Sequence, residues 1–247
     1  CGDIDICGLK RPQSFYRDVL WKNGHPVSLF VTPPTPSFRE NPDIMPWSKW
    51  NWQDVVPSWN WESFKGEKLA VEVYSSCEEA ELFLNGKSLG KKKTDRSNKW
   101  IARWNVEWQA GVLKAVTYSG TVAIASAELT TASEPARIRM TPDRDTISSD
   151  GQDLSFITLE VLDSMGVINP LEEKMVEFEI EGPGSIAAVA NSNPMSTESF
   201  YRPFRKTWRG KCLVIVRAGK SPGQIKLTAR IEGLPISETI VQTSEKQ

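Results

Sequence analysis

Acid–base chemistry is the first possibility that residue types and spacing raise in this chain of 247 residues, at Asp3-Ile4-Asp5. Two carboxylates two residues apart on an extended segment leave from one face, so both could enter one site. The competing reading is a pair satisfied by neighbouring side chains. Glu78-Glu79 and Glu172-Glu173 are adjacent too, but both fall where turns are expected and read as solvated charges. The single histidine, His25, lies in the turn-like Asn23-Gly24-His25-Pro26. One histidine argues against a His-rich zinc site and leaves one candidate for a Ser-His or Cys-His mechanism. Cys1, Cys7, Cys77 and Cys212 show no C-x-x-C spacing. They read as unpaired, mostly buried thiols, with one disulfide left open. No G-x-S-x-G, P-loop, G-x-G-x-x-G or H-E-x-x-H is present, so no metal or cofactor is expected.

Tryptophan gives the second signal. Five of the ten, Trp47, Trp50, Trp52, Trp59 and Trp61, fall between Pro33 and Trp61 with six of the sixteen prolines. Indole packs well on the C–H face of a pyranose, which suggests a sugar platform. It also anchors interdomain joints, burying a large area with one polar handle. In an irregular connector the joint reading is favoured. Trp59 and Trp61, next to the first strand of a β-rich region, read as core or joint, leaving Trp47, Trp50 and Trp52 as the substrate-binding candidates. Lys91-Lys92-Lys93 reads as a solvated basic loop.

The elements around these residues are mostly strands. Lys plus Arg number 30 against 31 Asp plus Glu, a net charge of −1 that offers no basic excess for nucleic acid. No apolar run reaches the ~18 residues of a membrane-spanning helix. At the front, Gly2 to Gly8 alternates like a short strand. Pro12 then opens a helix to Trp21, with Phe15, Val19 and Leu20 on one stripe. A strand, loop and helix make half of a βαβ unit and must dock on something. After Trp61 short alternating strands follow one another, and Asn85-Gly86 is a strong hairpin signal. Ser133-Glu134-Pro135 separates them from a second run of strands. The fold class is therefore mainly β, two tandem immunoglobulin-like sandwiches over 63–133 and 134–247, after a connector over 23–62. The chain starts at Cys1 without a basic-then-apolar leader. It is expected either to have lost something in front or to be a piece of something longer. Cysteine usage leaves periplasm and cytoplasm both open.

Gly2-Asp3-Ile4-Asp5-Ile6-Cys7-Gly8-Leu9-Lys10-Arg11-Pro12-Gln13-Ser14-Phe15-Tyr16-Arg17-Asp18-Val19-Leu20-Trp21, within residues 1–22, resembles the last strand and helix of the catalytic (β/α)8 TIM barrel of family 2 glycoside hydrolases, of the β-galactosidase type found in Bacteroidetes. Pro57-Ser58-Trp59-Asn60-Trp61 and Glu81-Leu82-Phe83-Leu84-Asn85-Gly86-Lys87 resemble the sandwich that follows the barrel. Asp150-Gly151-Gln152-Asp153-Leu154 and Gly210-Lys211-Cys212-Leu213-Val214 resemble the extra C-terminal sandwich, in a style shared with invasin-like repeats. The resemblance implies a retaining β-glycosidase as parent, with two catalytic glutamates about 5 Å apart on barrel strands. Those strands are not in this sequence, so no position receives a catalytic role. Asp5 and Cys7 become candidates for the end of the barrel strand. No Asn-x-Lys element stands near that strand, which favours a neutral sugar over a glucuronide. The implied partners are a carbohydrate substrate and the remainder of the barrel. The sandwiches would buttress it, shape the cleft rim and mediate homo-oligomer contacts. The resemblance favours the periplasm. The alternatives are a carbohydrate-binding module using Trp47, Trp50 or Trp52, and a structural or adhesive repeat protein.

Overall fold

The computed structural model describes residues 2–35, 54–170 and 173–245. The chain forms two units: Cys1–Asp5 with Lys10–Thr131, and Ile6–Leu9 with Ala132–Gln247.

Among the described residues, the first unit holds one α-helix, α1 (Pro12–Trp21), and seven strands. These are β1 (Val27–Val31), β2 (Lys68–Ser75), β3 (Glu79–Leu84), β4 (Lys87–Lys93), β5 (Ile101–Glu107), β6 (Val112–Ser119) and β7 (Val122–Thr130). They build two antiparallel sheets, ordered β1-β2-β5 and β4-β3-β6-β7. Leu29, Val71, Val73 and Trp104 meet Ala80, Leu82, Leu113 and Ala115 in one core. The β3–β4 hairpin turns at Asn85 (φ 51°) and Gly86 (φ 80°), the positive dihedrals that an Asn-Gly turn tolerates. Lys91, Lys92 and Lys93 are not in a loop but end β4, an edge strand of its sheet, where lysines discourage pairing with another edge.

β1 lies inside the segment read as connector. Every one of its residues is buried, so it shows no alternation of exposure. Val27, Leu29 and Val31 face the sandwich core, while Phe30 faces a second cluster with Val19, Val55, Tyr74 and Ile101. That second cluster is where α1 docks. Phe15 meets Phe30 edge-on with centroids 5.7 Å apart, Tyr16 meets Tyr74 at 5.6 Å, and the Tyr16 hydroxyl donates to Lys99 O at 2.9 Å. Burial pushes the Tyr16 phenol upward, partly offset by Arg103. Leu20, expected on the buried stripe, is 38% exposed, and Tyr16 takes its place.

Among the described residues, the second unit has nine strands. They are β8 (Arg137–Pro142), β9 (Thr146–Ser148), β10 (Leu154–Leu162), β11 (Met175–Glu181), β12 (Gly184–Ala190), β13 (Phe204–Lys206), β14 (Lys211–Ala218), β15 (Gly223–Arg230) and β16 (Ser237–Ser244). The sheets run β12-β14-β10-β8 and β13-β11-β15-β16-β9, antiparallel except where β9 joins β16 in parallel. Ile157, Leu159 and Val214 pack against Val176, Ile225 and Leu227 between them. Asp163 ties the start of this unit. Its carboxylate accepts from the backbone N–H groups of Ser133, Met165 and Val167 at 2.8–3.0 Å. Burial raises its pKa, but these donors outweigh burial and the net direction is down.

Candidate functional site

The extended segment in front of α1 is held by its own neighbours. Ile4 bridges Lys10, Arg11 N–H donates to Asp3 O at 2.8 Å, and Asp3 is ion-paired with Arg17 of the helix. Lys10 Nζ lies 2.7 Å from Asp18 Oδ2. A single antiparallel bridge stands where the short strand is expected, and the segment turns back on itself. Asp3 thus fastens the segment to the helix, and Asp5 is half-buried.

Exposure alternates along this segment in an unusual sense. Asp3, Asp5, Cys7 and Leu9 are half-buried, whereas Ile4 and Ile6 stand 58% and 59% in water. At the far end of α1, Trp21 is 70% exposed. A solvated segment ordinarily presents its charges outward and its isoleucines inward. Trp21 stands uncovered on a helix whose other side is docked through Phe15, Tyr16 and Val19.

Cys7 and Leu9 belong to the second unit and line a small cavity there with Ser192, Lys211 and Cys212. Cys7 is half-buried, and Cys77 and Cys212 are buried. Burial pushes the Cys212 thiol far above its ordinary value, with Cys7 adding to the effect, so it is an inert thiol at neutral pH.

Two buried glutamates are the strongest remaining candidates for acid–base work, and both are matched to cations. Glu72 of β2 lies opposite Arg103 of β5, Oε1 to Nε 2.8 Å, and accepts from the Tyr74 hydroxyl at 3.1 Å. Glu160 of β10 sits between Arg139 of β8 and Lys211 of β14, at 2.5 Å and 2.9 Å. Burial raises the Glu160 pKa, but Lys211 and Arg139 outweigh burial and the net direction is down. An acid held ionised by two cations cannot serve as a proton donor near neutral pH. Glu78 accepts from Gly120 N–H at 2.8 Å at the surface, and His25 is exposed in its turn. Among the described residues, no cluster of three or more His, Cys, Asp or Glu could hold a metal ion.

Trp47, Trp50 and Trp52 lie outside the described residues. Trp59 is fully buried in the first core, its indole N–H donating to Gln109 O at 2.9 Å while its carbonyl accepts from the Trp108 indole at 3.1 Å. Trp61 packs against the same core. The sequence reading passed over the connection from β12 to β13. Arg205, with no solvent exposure, sits under that loop, and Phe200 and Tyr201 project from it. The available signal was a stretch without strand or helix periodicity that nevertheless carries adjacent aromatics.

Comparison with known proteins bears on both units. Residues 138–240 match the glycoside hydrolase family 2 C-terminal domain 5, and residues 66–125 match a domain of unknown function. β-Galactosidase BoGH2A of Bacteroides ovatus is 41% identical over 76% of this chain, which covers 22% of that protein. A putative β-glucuronidase of Formosa agariphila is 30% identical over 94% of the chain, which covers 20% of it. The crystal structure of a family 2 glycosyl hydrolase from Bacteroides cellulosilyticus is similar over 99% of the chain, with 46% identity and a TM-score of 0.96, and 32% of that structure is covered. The chain therefore spans a third or less of the length of these relatives.

Proposed function

Because the chain belongs to the C-terminal region of the family 2 glycoside hydrolases, we propose that it is the accessory part of a retaining β-glycosidase that hydrolyses terminal β-galactosides of oligo- or polysaccharides. The observation that carries this reading is the uncovered apolar set on the first elements. Ile4 and Ile6 are exposed on the first segment, and Trp21 on a helix docked by its other side. These are the positions that neighbouring strands and helices of a closed barrel would cover. Retaining hydrolysis needs two carboxyl groups about 5 Å apart, one of them able to give up a proton. Glu160 is instead clamped between two cations, which supports placing both catalytic glutamates in the remainder of the barrel. The role of this chain is support: α1 completes the barrel, and the sandwiches buttress it and shape the rim of its cleft. The identity with a β-galactosidase supports a galactoside over a glucuronide.

The test compares the purified chain with the longer protein on nitrophenyl β-galactoside and nitrophenyl β-glucuronide, with the anomer of the released sugar followed by NMR. The longer protein is expected to turn over the galactoside with retention, and the chain alone to turn over neither. Hydrolysis by the chain alone would refute the accessory role. Inversion would refute the mechanism, and exclusive use of the glucuronide would refute the substrate.

A further inference from the structure

In the second unit, the face of the β12-β14-β10-β8 sheet that turns away from the core carries a groove. Ile157, Leu159 and Val161 of β10 point into the core, so Phe156, Thr158 and Glu160 leave from the opposite face. Arg139 and Thr141 of β8 lie beside them, in register as Glu160↔Arg139 and Thr158↔Thr141. With Pro142 and Asp143 these residues line an open groove of about 490 Å³. Small-molecule sites occupy about 300–1,000 Å³.

Three kinds of group follow one another along it. At one end the Phe156 ring is 38% exposed, an apolar surface on a strand inside the sheet. Its backbone is fixed: Phe156 N–H donates to Asp143 Oδ1 at 2.7 Å, and Asp143 N–H to Phe156 O at 2.9 Å. In the middle stand the hydroxyls of Thr141 and Thr158, which among the described residues make no hydrogen bond to the protein. At the other end Glu160 Oε2 accepts from Arg139 Nε at 2.9 Å and Nη2 at 2.5 Å, and Lys211 Nζ lies 2.9 Å from Oε1. The remaining Arg139 N–H groups face water on a half-exposed side chain. At ~3.3 Å per residue, Phe156 to Glu160 spans about 13 Å, the reach of a short oligosaccharide.

We propose that this groove binds a neutral oligosaccharide, one ring stacked on Phe156 and the hydroxyls beyond it bonded by Thr158, Thr141 and Arg139. The charges select against other ligands. Arg139 and Lys211 are balanced by Asp143 and Glu160, so the groove presents no net field to a phosphate or a cation. A purely apolar ligand would cut the two threonine hydroxyls off from water without replacing their bonds. A ligand with hydroxyls at its edge and C–H groups on its faces satisfies the ring and the polar groups together. The ladder fixes Thr141 and Thr158, and Glu160 holds the Arg139 fork, so little ordering is needed on binding. The ligand class follows from the groove's own groups and does not depend on which glycoside the longer protein cleaves.

The experiment is an amide NMR titration of the purified chain with β-1,4-linked galactotetraose and with β-1,4-linked glucotetraose. At least one is expected to bind with Kd on the order of 1 mM or below, moving the amide signals of Phe156, Thr158 and Thr141. Phe156→Ala should weaken binding about tenfold, and Phe156→Trp, which keeps an aromatic face, should preserve it. Thr158→Val keeps the shape and removes the hydroxyl, and should weaken binding about threefold to tenfold. Thermal melting checks the fold of each variant, and Thr158→Val decides the matter should Phe156→Ala not fold. Absence of binding by both tetraoses would overturn the proposal. So would shifts confined to other parts of the chain, or an affinity that every variant leaves unchanged. Displacement of the sugar by millimolar inorganic phosphate would assign the groove to an anion and overturn it too. None of these results bears on the accessory role, which is read from hydrolysis by the longer protein.

Discussion

Replacing Ile4, Ile6 and Trp21 together by serine probes whether the uncovered face is built for a partner. In the chain by itself these side chains are 58%, 59% and 70% exposed, so they already lie mostly in water and their removal changes little. The expected loss is below about 1 kcal/mol for the triple variant, in the range of ordinary surface substitutions. In the longer protein the same positions would be covered. Full burial of an isoleucine is worth about 1.5–3 kcal/mol, so the share still ungained at Ile4 and Ile6 is about 1–2 kcal/mol each. A buried tryptophan removes about 200 Å² from water. The uncovered share of Trp21 then corresponds to about 3 kcal/mol at ~25 cal/mol per Å². Together the triple variant should cost the longer protein about 5–7 kcal/mol. Urea unfolding of the chain, followed by far-UV circular dichroism, gives the first number. The urea midpoint for loss of glycosidase activity reports the second, since a multidomain protein need not unfold in two states. A loss above about 2 kcal/mol in the chain alone would mean that these residues already pack within it. An unchanged midpoint in the longer protein would mean that nothing covers them. Either result refutes the reasoning.

Glu160→Gln should destabilise the second unit by about 1–3 kcal/mol at pH 7, less than a fully buried pair because Arg139 is half exposed. The folded-state pKa of Glu160 is depressed. Its contribution is therefore present above the unfolded value of about 4.3 and lost as pH falls through the folded value. Urea midpoints of wild type and variant should converge on acidification below that window, and a gap that stays constant to pH 3 would contradict the ion-pair account. Gly111→Ala should cost the first unit about 3 kcal/mol. Gly111 has φ +132°, and an added Cβ would lie 1.9 Å from Asn85 Oδ1, displacing a side chain that accepts from Val112 N–H at 2.8 Å and donates to Ala110 O at 3.0 Å. Thermal melting checks it, and Asn85→Gly in the same chain should recover the steric part. A melt unaltered by Gly111→Ala would show that the turn relaxes freely.

The residues explain why some features were legible and others were not. Leu82 and Leu84 alternate with half-buried neighbours in a strand with one face in the core, and Asn85-Gly86 admits positive φ, so the β3–β4 hairpin could be read directly. β1 could not, because the sandwich covers one of its faces and α1 the other, and alternation disappears when both sides are buried. Lys91 to Lys93 looked like loop because an edge strand needs no apolar face outward. At the candidate site, Asp3 and Asp5 were visible as a pair, but the Arg17 partner of Asp3 was not, since it depends on how the segment folds back on the helix. Arg205 was invisible for a related reason: charge suggests a surface position, and only the fold shows Glu198 and Phe200 closing over it.

By itself the sequence determined the two β-rich regions, the short helix opened by Pro12, the lack of nucleotide and zinc-hydrolase motifs, and the kinship with family 2 glycoside hydrolases. All of these are written in local spacing, which governs backbone periodicity and turn chemistry. The tertiary structure decided which groups meet. It set Phe15 and Tyr16 on Phe30 and Tyr74, clamped Glu160 between two cations, and left Ile4, Ile6 and Trp21 uncovered. Burial and charge pairing join residues far apart along the chain, and no local pattern encodes which distant side chain will close over a given one.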